Sequence, residues 1–343
     1  MSTNKILKVV IFGATGFTGE KLVELLLKHP SVRITYLSAK IEKDCYYSDL
    51  FPKFKGKIDL ICEKPNIKKA KNLGDIFFLA LPHTVSMRIV PYLLEEDKKV
   101  IDLSADYRLK NTKLYKEYYK INHTDKRNLK KATYGLVEFF KNKIKESKLI
   151  ANPGCYPIST ILPLAPLLKE DLIDPEIIID SKSSITGAGR KPAVEYHYSN
   201  ISNNLWAYKP FIHQHTPEIV EVLKRISNNK EIKLNFIPHV VGIEVGIYST
   251  IHINFKRRMT TKSLIGIYNK YYKTSPFVRV RVSLPKLKDV TGTNFCDIGF
   301  YIDKSRKRAV ICSCIDNLIK GASGNAIQNM NVMCGFKETE GLL

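Results

Sequence analysis

GATGFTG, residues 13–19, lies between an apolar run and a helical pattern near the start of the chain. The preceding run, residues 7–12, reads LKVVIF and predicts a buried strand, and the following pattern predicts a helix that ends near His29-Pro30. Glycines at such a junction are typical of a turn whose backbone amides hold a dinucleotide pyrophosphate. The spacing is G-x-x-G-x-x-G and not G-x-G-x-x-G, so three glycines that serve only the turn are the alternative. The candidate cofactor contacts are Gly13, Thr15, Gly16, Phe17, Thr18 and Gly19.

Up to about residue 155, short apolar runs alternate with helical or loop stretches. Further strands are predicted at residues 32–37, 76–81, 100–103 and 149–151. This alternation predicts an α/β fold with a Rossmann-type, doubly wound parallel sheet.

After about residue 155 the predicted strands have fewer helices between them. They lie at residues 177–182, 234–238, 246–255, 278–284 and 309–315. This pattern predicts an α+β domain for catalysis and oligomerisation. We therefore expect a nucleotide-binding domain over residues 1–154, completed by a helical tail at 316–343, and the α+β domain over 155–315.

Composition favours a two-domain protein with ordinary cores, because the chain has 343 residues, 44% of them hydrophobic and 26% charged. The net charge of +22 is spread along the chain without interleaved aromatic residues, so nucleic acid is not an expected partner. The sequence shows no signal-peptide or membrane-length apolar run, which leads us to expect a cytoplasmic protein. Seven cysteines without a Cys-x-x-Cys pair argue against disulfides and against a bound metal.

The end of the second predicted strand indicates which nicotinamide cofactor binds. Enzymes that use NAD place an acidic residue there, which holds the ribose 2′-hydroxyl group. Here the sequence is Leu37-Ser38-Ala39-Lys40, with a hydroxyl group and a cation in place of a carboxylate. Because Ser38 and Lys40 suit a 2′-phosphate, we predict NADP; an ordinary surface lysine beside a serine is the alternative.

Cys155 stands in the sequence NPGCYP, residues 152–157, between a predicted strand and the apolar stretch 158–168. Pro153 and Gly154 indicate a tight strand-to-helix turn, which predicts that the cysteine caps a helix N-terminus. Free amides and the helix dipole favour a thiolate there, so Cys155 is the candidate nucleophile. The alternative is a cysteine that packs in the core.

A thiolate nucleophile needs an acid/base partner, and histidine is the side chain that titrates near neutral pH. Two candidates lie downstream in the sequence HQHTPE, residues 213–218. The spacing does not choose between His213 and His215. Two structural histidines are the alternative, and a zinc site is not expected because no further Cys or His cluster completes its ligands.

Together these motifs resemble the N-acetyl-γ-glutamyl-phosphate reductase family, a relative of the aspartate-semialdehyde dehydrogenases. The matching stretches span almost the whole chain and are residues 13–19, 80–83 (ALPH), 102–108 (DLSADYR), 134–136 (YGL), 152–157, 187–190 (GAGR), 213–219 (HQHTPEI) and 315–322 (IDNLIKGA). The resemblance implies NADPH-dependent reductive dephosphorylation of N-acetyl-γ-glutamyl phosphate to its γ-semialdehyde, in arginine biosynthesis. It implies a thioester on Cys155 and favours His215 as the acid/base residue.

The resemblance also implies how the small acyl-phosphate substrate is held. Arg108 and Arg190 would bind the acyl phosphate and a substrate carboxylate, since guanidinium groups form paired bonds with such anions. Asn317 would contact the nicotinamide, so that the C-terminal tail returns to the nucleotide-binding domain. The remaining implied contacts are Gly187 for the cofactor and Asn152, His213 and Glu218 for the substrate. The family further implies a homo-oligomer, a dimer or a tetramer.

Two departures from the family pattern bear on the substrate. Ile158-Ser159 follows Cys-Tyr-Pro where the family has Thr, and residues 242–246 read GIEVG where it has a Pro-x-x-Arg-Gly segment. The missing arginine and the charge of +22 suit an alternative, a reductase of glutamate or aminoadipate attached to an acidic carrier protein. From another class, the alternative is a basic, non-catalytic protein that binds NADP or nucleic acid.

Overall fold

The computed structural model describes residues 6–343, which form two compact units. The first unit contains the described residues up to Pro153 and the segment Ala322–Leu343, and the second unit is Gly154–Gly321. The sequence predicts a boundary at 315/316, whereas residues 316–321 pack with the second unit. Hydrogen bonds explain the difference, because Asp316 accepts one from the backbone N of Gly292 (2.9 Å) and Asn317 one from that of Gly246 (2.6 Å).

Eight strands form the sheet of the first unit: β1 (Leu7–Phe12), β2 (Val32–Ser38), β3 (Cys45–Tyr46), β4 (Ile61–Glu63), β5 (Ile76–Leu79), β6 (Lys99–Asp102), β7 (Thr133–Tyr134) and β8 (Leu149–Ala151). Their order is β3-β4-β2-β1-β5-β6-β8-β7, and every neighbouring pair except β3 with β4 is parallel. The helices are α1 (Phe17–Leu26), α2 (Tyr47–Leu50), α3 (Ile67–Ala70), α4 (Ser86–Glu95), α5 (Thr112–Tyr119), α6 (Lys126–Lys131) and α7 (Val137–Glu146). The predicted doubly wound sheet is confirmed.

The sequence of the central strand β1 is a continuous apolar run because both faces of the parallel sheet are covered. Val9, Val10, Ile11 and Phe12 are all fully buried, although successive side chains point to opposite faces. Val9 and Ile11 pack in one apolar cluster, and Val10 and Phe12 pack in a second cluster on the other face. The sheet therefore has a core on each side.

The second unit contains α8 (Cys155–Lys169), β9 (Glu176–Ser184), α9 (Tyr198–Ile201), β10 (Leu205–Ala207), α10 (His215–Ile226), β11 (Lys233–Val241), β12 (Ile247–Asn254), α11 (Thr261–Tyr272), β13 (Val278–Val280), β14 (Cys296–Ile302) and β15 (Arg308–Ile315). The seven strands form a mixed sheet in the order β10-β11-β9-β12-β15-β14-β13. Helix α8 packs on β12 and β15 and contacts α10 and α11. This is the predicted α+β architecture.

Side chains on the two faces of the second sheet differ in burial. Ile177 and Ile179 of β9 are fully buried on the inner face, which α8 covers, whereas Ile178 lies on the outer face with 41% exposure. Tyr301 of β14 also lies on the outer face and is 72% exposed. The outer face thus presents large apolar side chains to solvent.

A π-helical turn, Ile319–Ser323, leads into α12 (Gly324–Cys334), which belongs to the first unit. Asn325, Gln328, Asn329 and Asn331 of α12 are all fully buried. The amides of the three asparagines donate to backbone carbonyl groups; Asn325 Nδ2, for example, donates to Gly135 O at 2.8 Å. The amide of Gln328 donates to the carboxylates of Glu138 and Glu338. A helical tail in the first unit agrees with the sequence pattern of small and apolar residues.

Several element boundaries differ from prediction. The strands predicted at 76–81 and 278–284 end at Leu79 and Val280. The sequence pattern does not predict the short strands β3, β4, β7 and β10, nor the longer β14 (Cys296–Ile302). In residues 6–343, no helix is long and apolar enough to cross a membrane. Within the same range, no three His, Cys, Asp or Glu side chains converge as a metal site requires.

Candidate active site

The glycine turn of the first unit has three glycines with different packing. Gly13 has φ of +84°, and a Cβ atom there would lie 2.1 Å from Ala80 O. A Cβ atom at Gly19 would lie 2.1 Å from Gly13 O, whereas one at Gly16 would meet nothing closer than 3.7 Å. Fold geometry therefore requires glycine at 13 and 19, and the space beside Gly16 is left for a ligand.

Helix α1 begins at Phe17, with Gly16 as its N-cap residue, so the free amides of its first turn lie in this motif. Thr15, Phe17 and Thr18 are partly exposed. Backbone donors at the start of a ten-residue helix, next to open space, suit a pyrophosphate. The residues present therefore fit the phosphates of a nicotinamide dinucleotide.

Ser38 is the last residue of strand β2, and Lys40 lies two residues after it. The carbonyl oxygen of Ser38 accepts hydrogen bonds from Gly13 N (2.8 Å) and Ala14 N (2.9 Å), which ties the glycine turn to β2. The Ser38 side chain is fully buried, whereas Lys40 is exposed. Of the two residues, Lys40 is thus the better placed to reach a 2′-phosphate, and both contacts stay predictions.

The turn before Cys155 differs from prediction by one residue. Gly154 is the N-cap of α8, with φ of −69° and ψ of 157°, and Cys155 is the first helical residue. Cys155 is partly exposed, although Gly154 and the residues from Tyr156 to Leu168 are buried. A thiolate in the first turn still benefits from the helix dipole and free amides. The thiol is therefore accessible at the end of an otherwise buried helix.

Four of the other cysteines have environments that disfavour reaction. Cys62, Cys296, Cys312 and Cys314 are buried, and burial raises the pKa of the Cys62 thiol to about 12. The pKa of Cys314 is raised further by the same cause. Such thiols stay protonated at neutral pH and behave as small apolar side chains.

A buried carboxylate joins α10 to the start of α8. Gly154 N donates to Glu218 Oε1 at 2.9 Å, and Glu218 is only 1% exposed. Helix α10 begins at His215, one turn before Glu218. One helix therefore carries a candidate acid/base residue and also anchors the cap of the helix that starts with the candidate nucleophile.

The two histidines, which the spacing does not distinguish, differ in burial. His213 is buried and His215 is partly exposed. Burial lowers the pKa of His213 to about 3, and the positive charge of Lys209 adds to the effect. Aromatic side chains enclose the His213 ring, including Tyr156 (5.4 Å between centroids) and Phe236 (5.6 Å).

Hydrogen bonds assign the tautomer of His213. Its Nδ1 accepts a bond from the backbone N of His215 at 3.0 Å, so the neutral ring carries its proton on Nε2 and donates to Tyr208 Oη at 3.3 Å. Tyr208 Oη donates to Tyr156 Oη at 3.3 Å, and Tyr156 Oη donates to His239 O at 3.2 Å. His213 is thus a neutral member of a buried hydrogen-bond chain that fixes the start of α10.

Asn317 is 3% exposed, and its amide forms three hydrogen bonds within the second unit. Its Oδ1 accepts bonds from Ser184 Oγ (3.0 Å) and Gly246 N (2.6 Å), and its Nδ2 donates to Thr186 Oγ1 (3.0 Å). Gly187 follows this turn, where a Cβ atom would lie 3.0 Å from Ser183 Oγ. Asn317 therefore holds the loop that leads to Gly187; its predicted nicotinamide contact stays a prediction.

Arg108 and Arg190 have very different surroundings. Arg108 is 5% exposed, and it donates from Nε to Asn152 O (2.8 Å) and from Nη2 to Leu103 O (2.8 Å), which joins the loops after β6 and β8. Asn152 is itself buried, and its Oδ1 accepts a bond from Asn325 Nδ2 at 2.8 Å. Arg190 lies in an exposed loop. The substrate contacts proposed for these residues stay predictions.

Two family models cover most of the chain. The first, "Semialdehyde dehydrogenase, NAD binding domain", matches residues 8–147, and the second, "Semialdehyde dehydrogenase, dimerisation domain", matches residues 155–317. Among solved structures, aspartate semialdehyde dehydrogenase II of Vibrio cholerae complexed with ASA has a TM-score of 0.73 at 17% identity, covering 96% of this chain and 99% of its own. The aspartate semialdehyde dehydrogenase of Candida albicans, solved with NADP, has a TM-score of 0.71 at 17% identity, covering the same shares. These matches define the class, a semialdehyde dehydrogenase with two domains.

Two more similar relatives identify the family within this class. The N-acetyl-gamma-glutamyl-phosphate reductase of Desulfotalea psychrophila is 44% identical over 98% of both chains. The one from Methanocaldococcus jannaschii is 44% identical over 98% of this chain and 97% of its own. The chain belongs to the N-acetyl-γ-glutamyl-phosphate reductase family. The predicted family and fold class are confirmed.

Proposed function

We propose that this chain catalyses the NADPH-dependent reductive dephosphorylation of N-acetyl-γ-glutamyl phosphate to N-acetylglutamate γ-semialdehyde, a step of arginine biosynthesis in the cytoplasm. One observation carries the proposal: Cys155 is the accessible first residue of α8, and the cap of that helix is bonded to Glu218 on the helix that begins with His215. A nucleophile and an acid/base residue are thereby held by one connected set of backbone and side-chain bonds.

The proposed reaction proceeds through a thioester. The Cys155 thiolate attacks the acyl carbon, backbone amides at the start of α8 stabilise the resulting oxyanion, and the C–O bond to phosphate breaks. His215 takes the thiol proton and supplies it to the departing phosphate oxygen. The glycine turn, residues 13–19, would hold the phosphates of NADPH, which would supply the hydride that reduces the thioester carbon. The C–S bond then breaks, which releases the aldehyde and regenerates the thiolate of Cys155.

The assignment of His215 as the acid/base residue rests on the difference between the two histidines. His213 is buried, and its Nδ1 already accepts the backbone N–H of His215. A proton carrier must be reachable and must change its charge near neutral pH, and a histidine with a pKa of about 3 does not do so. Replacing His215 by asparagine is expected to lower kcat by about 10²- to 10⁴-fold.

Cofactor choice depends on the end of β2. Lys40 is exposed there, and β2 ends in Ser38 where NAD enzymes typically place a carboxylate. Lys40→Glu is expected to raise KM for NADPH by about ten-fold and to leave KM for NADH unchanged or lower, because a carboxylate repels a 2′-phosphate. An equal change in KM for NADPH and for NADH would show that Lys40 does not bind the 2′-phosphate.

The proposed assembly is a homodimer through the outer face of the second sheet. The dimerisation-domain match spans residues 155–317, and this face exposes Ile178 and Tyr301. Tyr301→Lys is expected to shift sedimentation towards the monomer, because it places a charge in an apolar interface. Tyr198→Lys, at a residue that is 79% exposed and lies off this face, is the matched control.

The deciding experiment follows the reverse reaction. Wild-type protein is given N-acetylglutamate γ-semialdehyde, NADP and phosphate, and NADPH formation is measured by absorbance. We expect turnover that requires phosphate, a loss of about 10³-fold or more in Cys155→Ser, and full activity in the control Cys45→Ser. An inactive wild-type protein that is well folded, or an active Cys155→Ser variant, would contradict the proposal.

A further inference from the structure

Gly321 lies directly against the side chain of Cys155. A Cβ atom at Gly321 would be 3.0 Å from Cys155 Cβ, 3.2 Å from Asp316 O and 3.3 Å from Ile315 Cδ1. Carbon atoms normally approach no closer than about 3.5 Å. Any side chain at position 321 would therefore have to displace either Cys155 or the backbone beside it.

The segment that carries Gly321 is anchored on its other side. Gly321 N donates to Asp316 O at 2.8 Å. The Asp316 carboxylate accepts bonds from Leu318 N and Ile319 N, each at 2.9 Å, and from Gly292 N at 2.9 Å. Asp316 is 2% exposed, so these bonds are shielded from water. The segment Asp316–Gly321 cannot move away from Cys155 without breaking these buried hydrogen bonds.

The backbone geometry around Gly321 is also unusual. Residues Ile319–Ser323 form a π-helical turn, an arrangement that is rare and concentrates at functional sites. Gly321 does not have the positive φ that marks glycines such as Gly13. Alanine can therefore adopt the backbone conformation of Gly321 without strain. Its effect comes only from the close contacts of its Cβ atom, of which the one with Cys155 Cβ is the shortest.

We propose that Gly321 is a positioning residue for the nucleophile: by lacking a side chain, it lets Cys155 rest against the segment Asp316–Gly321 and so fixes where the sulfur lies. This inference rests on the proposed role of Cys155. A sulfur that moves by a few tenths of an ångström meets the acyl carbon at a poorer distance and angle, and such small displacements reduce rates strongly.

The test compares Gly321→Ala with the matched control Gly266→Ala in the full-length protein. A Cβ atom at Gly266, in α11, would meet nothing within 4 Å, and that glycine also lacks a positive φ. We expect Gly321→Ala to lower kcat by about ten-fold while KM for NADPH stays within about two-fold. Gly266→Ala should leave both values unchanged.

A second readout needs no substrate. The rate of Cys155 alkylation by iodoacetamide is measured against pH, with Cys155→Ser as the background. Gly321→Ala should shift the profile or lower its plateau, which a purely structural role would not do. The alkylation rate does not depend on the substrate. It therefore tests the role of Gly321 even if the protein reduces a different acyl group from the one proposed, and the two proposals can be refuted independently.

A third variant covers the case in which Gly321→Ala is unstable. Adding Cys155→Gly removes one of the two Cβ atoms that would clash, and should restore the melting temperature lost in Gly321→Ala. Wild-type kcat and a wild-type alkylation profile in Gly321→Ala would overturn the inference. An unstable Gly321→Ala that Cys155→Gly does not rescue would also overturn it, because the clash would then be with Asp316 or Ile315.

Discussion

Replacing His213 with asparagine should remove part of the acid sensitivity of the second unit. Asparagine Oδ1 can accept the backbone N–H of His215, as His213 Nδ1 does at 3.0 Å, but the amide does not titrate. Burial lowers the pKa of His213 to about 3, whereas an unfolded histidine has a pKa of about 6.5. Between these values the unfolded chain binds more protons than the folded one.

The size of the effect follows from this difference. The stabilising contribution is present above about pH 6.5 and is lost as the pH falls, because the unfolded state then gains a proton that folded His213 does not take up. Going from about pH 7 to about pH 5.5 should cost the wild-type protein about 1.3 kcal/mol through His213 alone. Acid protonation of other groups, such as buried His123, affects both proteins and cancels in the comparison.

Urea unfolding, followed by tryptophan fluorescence, measures this difference. Trp206 is the single tryptophan of the chain and lies on β10, in the same unit as His213. The free energy of unfolding should fall by about 1.3 kcal/mol less in His213→Asn than in the wild-type protein over the stated pH interval. Equal losses in the two proteins would refute a neutral, buried His213.

The remaining predictions concern Glu218 and the glycine turn. Glu218→Ala leaves the buried N–H of Gly154 without its partner, so the free energy of unfolding, measured with urea, should fall by about 2 kcal/mol, and by less in Glu218→Gln, which keeps an acceptor. Gly16→Ala should weaken NADPH binding by about ten-fold, measured by fluorescence titration, because a methyl group takes up space left for the pyrophosphate. Its melting temperature should stay close to that of the wild type, whereas Gly13→Ala, with φ of +84°, should melt lower.

Local sequence patterns were sufficient where one short segment defines the structure. Strands β1 and β8 have the predicted bounds, because each is a short apolar run next to a turn of glycine or proline. The helix start near Cys155 was predicted within one residue for the same reason. The sequence pattern does not predict β14, since Gly299 interrupts its apolar run and its pairing with β13 and β15 defines it as a strand.

Roles that depend on tertiary contacts could not be read from the sequence. The spacing of His213 and His215 does not distinguish their functions. Tyr156 contacts both rings, and the difference lies in burial, because Phe236 and the surrounding residues enclose His213 whereas His215 is partly exposed. Gly321 lies far from Cys155 in sequence, and the chain gives no signal of their contact beyond a small residue in a helical stretch. Asp316 likewise reads as an ordinary acidic residue until its three amide partners are known.

A single-turnover measurement tests whether Cys155 forms a thioester during the reaction. Enzyme is mixed with N-acetylglutamate γ-semialdehyde and NADP in the absence of phosphate, and the NADPH formed is compared with the number of active sites. We expect a rapid burst of one NADPH per site that then stops, with the acyl group detected on Cys155 by mass spectrometry. Turnover should resume when phosphate is added. Continuous turnover without phosphate, or the same burst in Cys155→Ser, would contradict a thioester on Cys155.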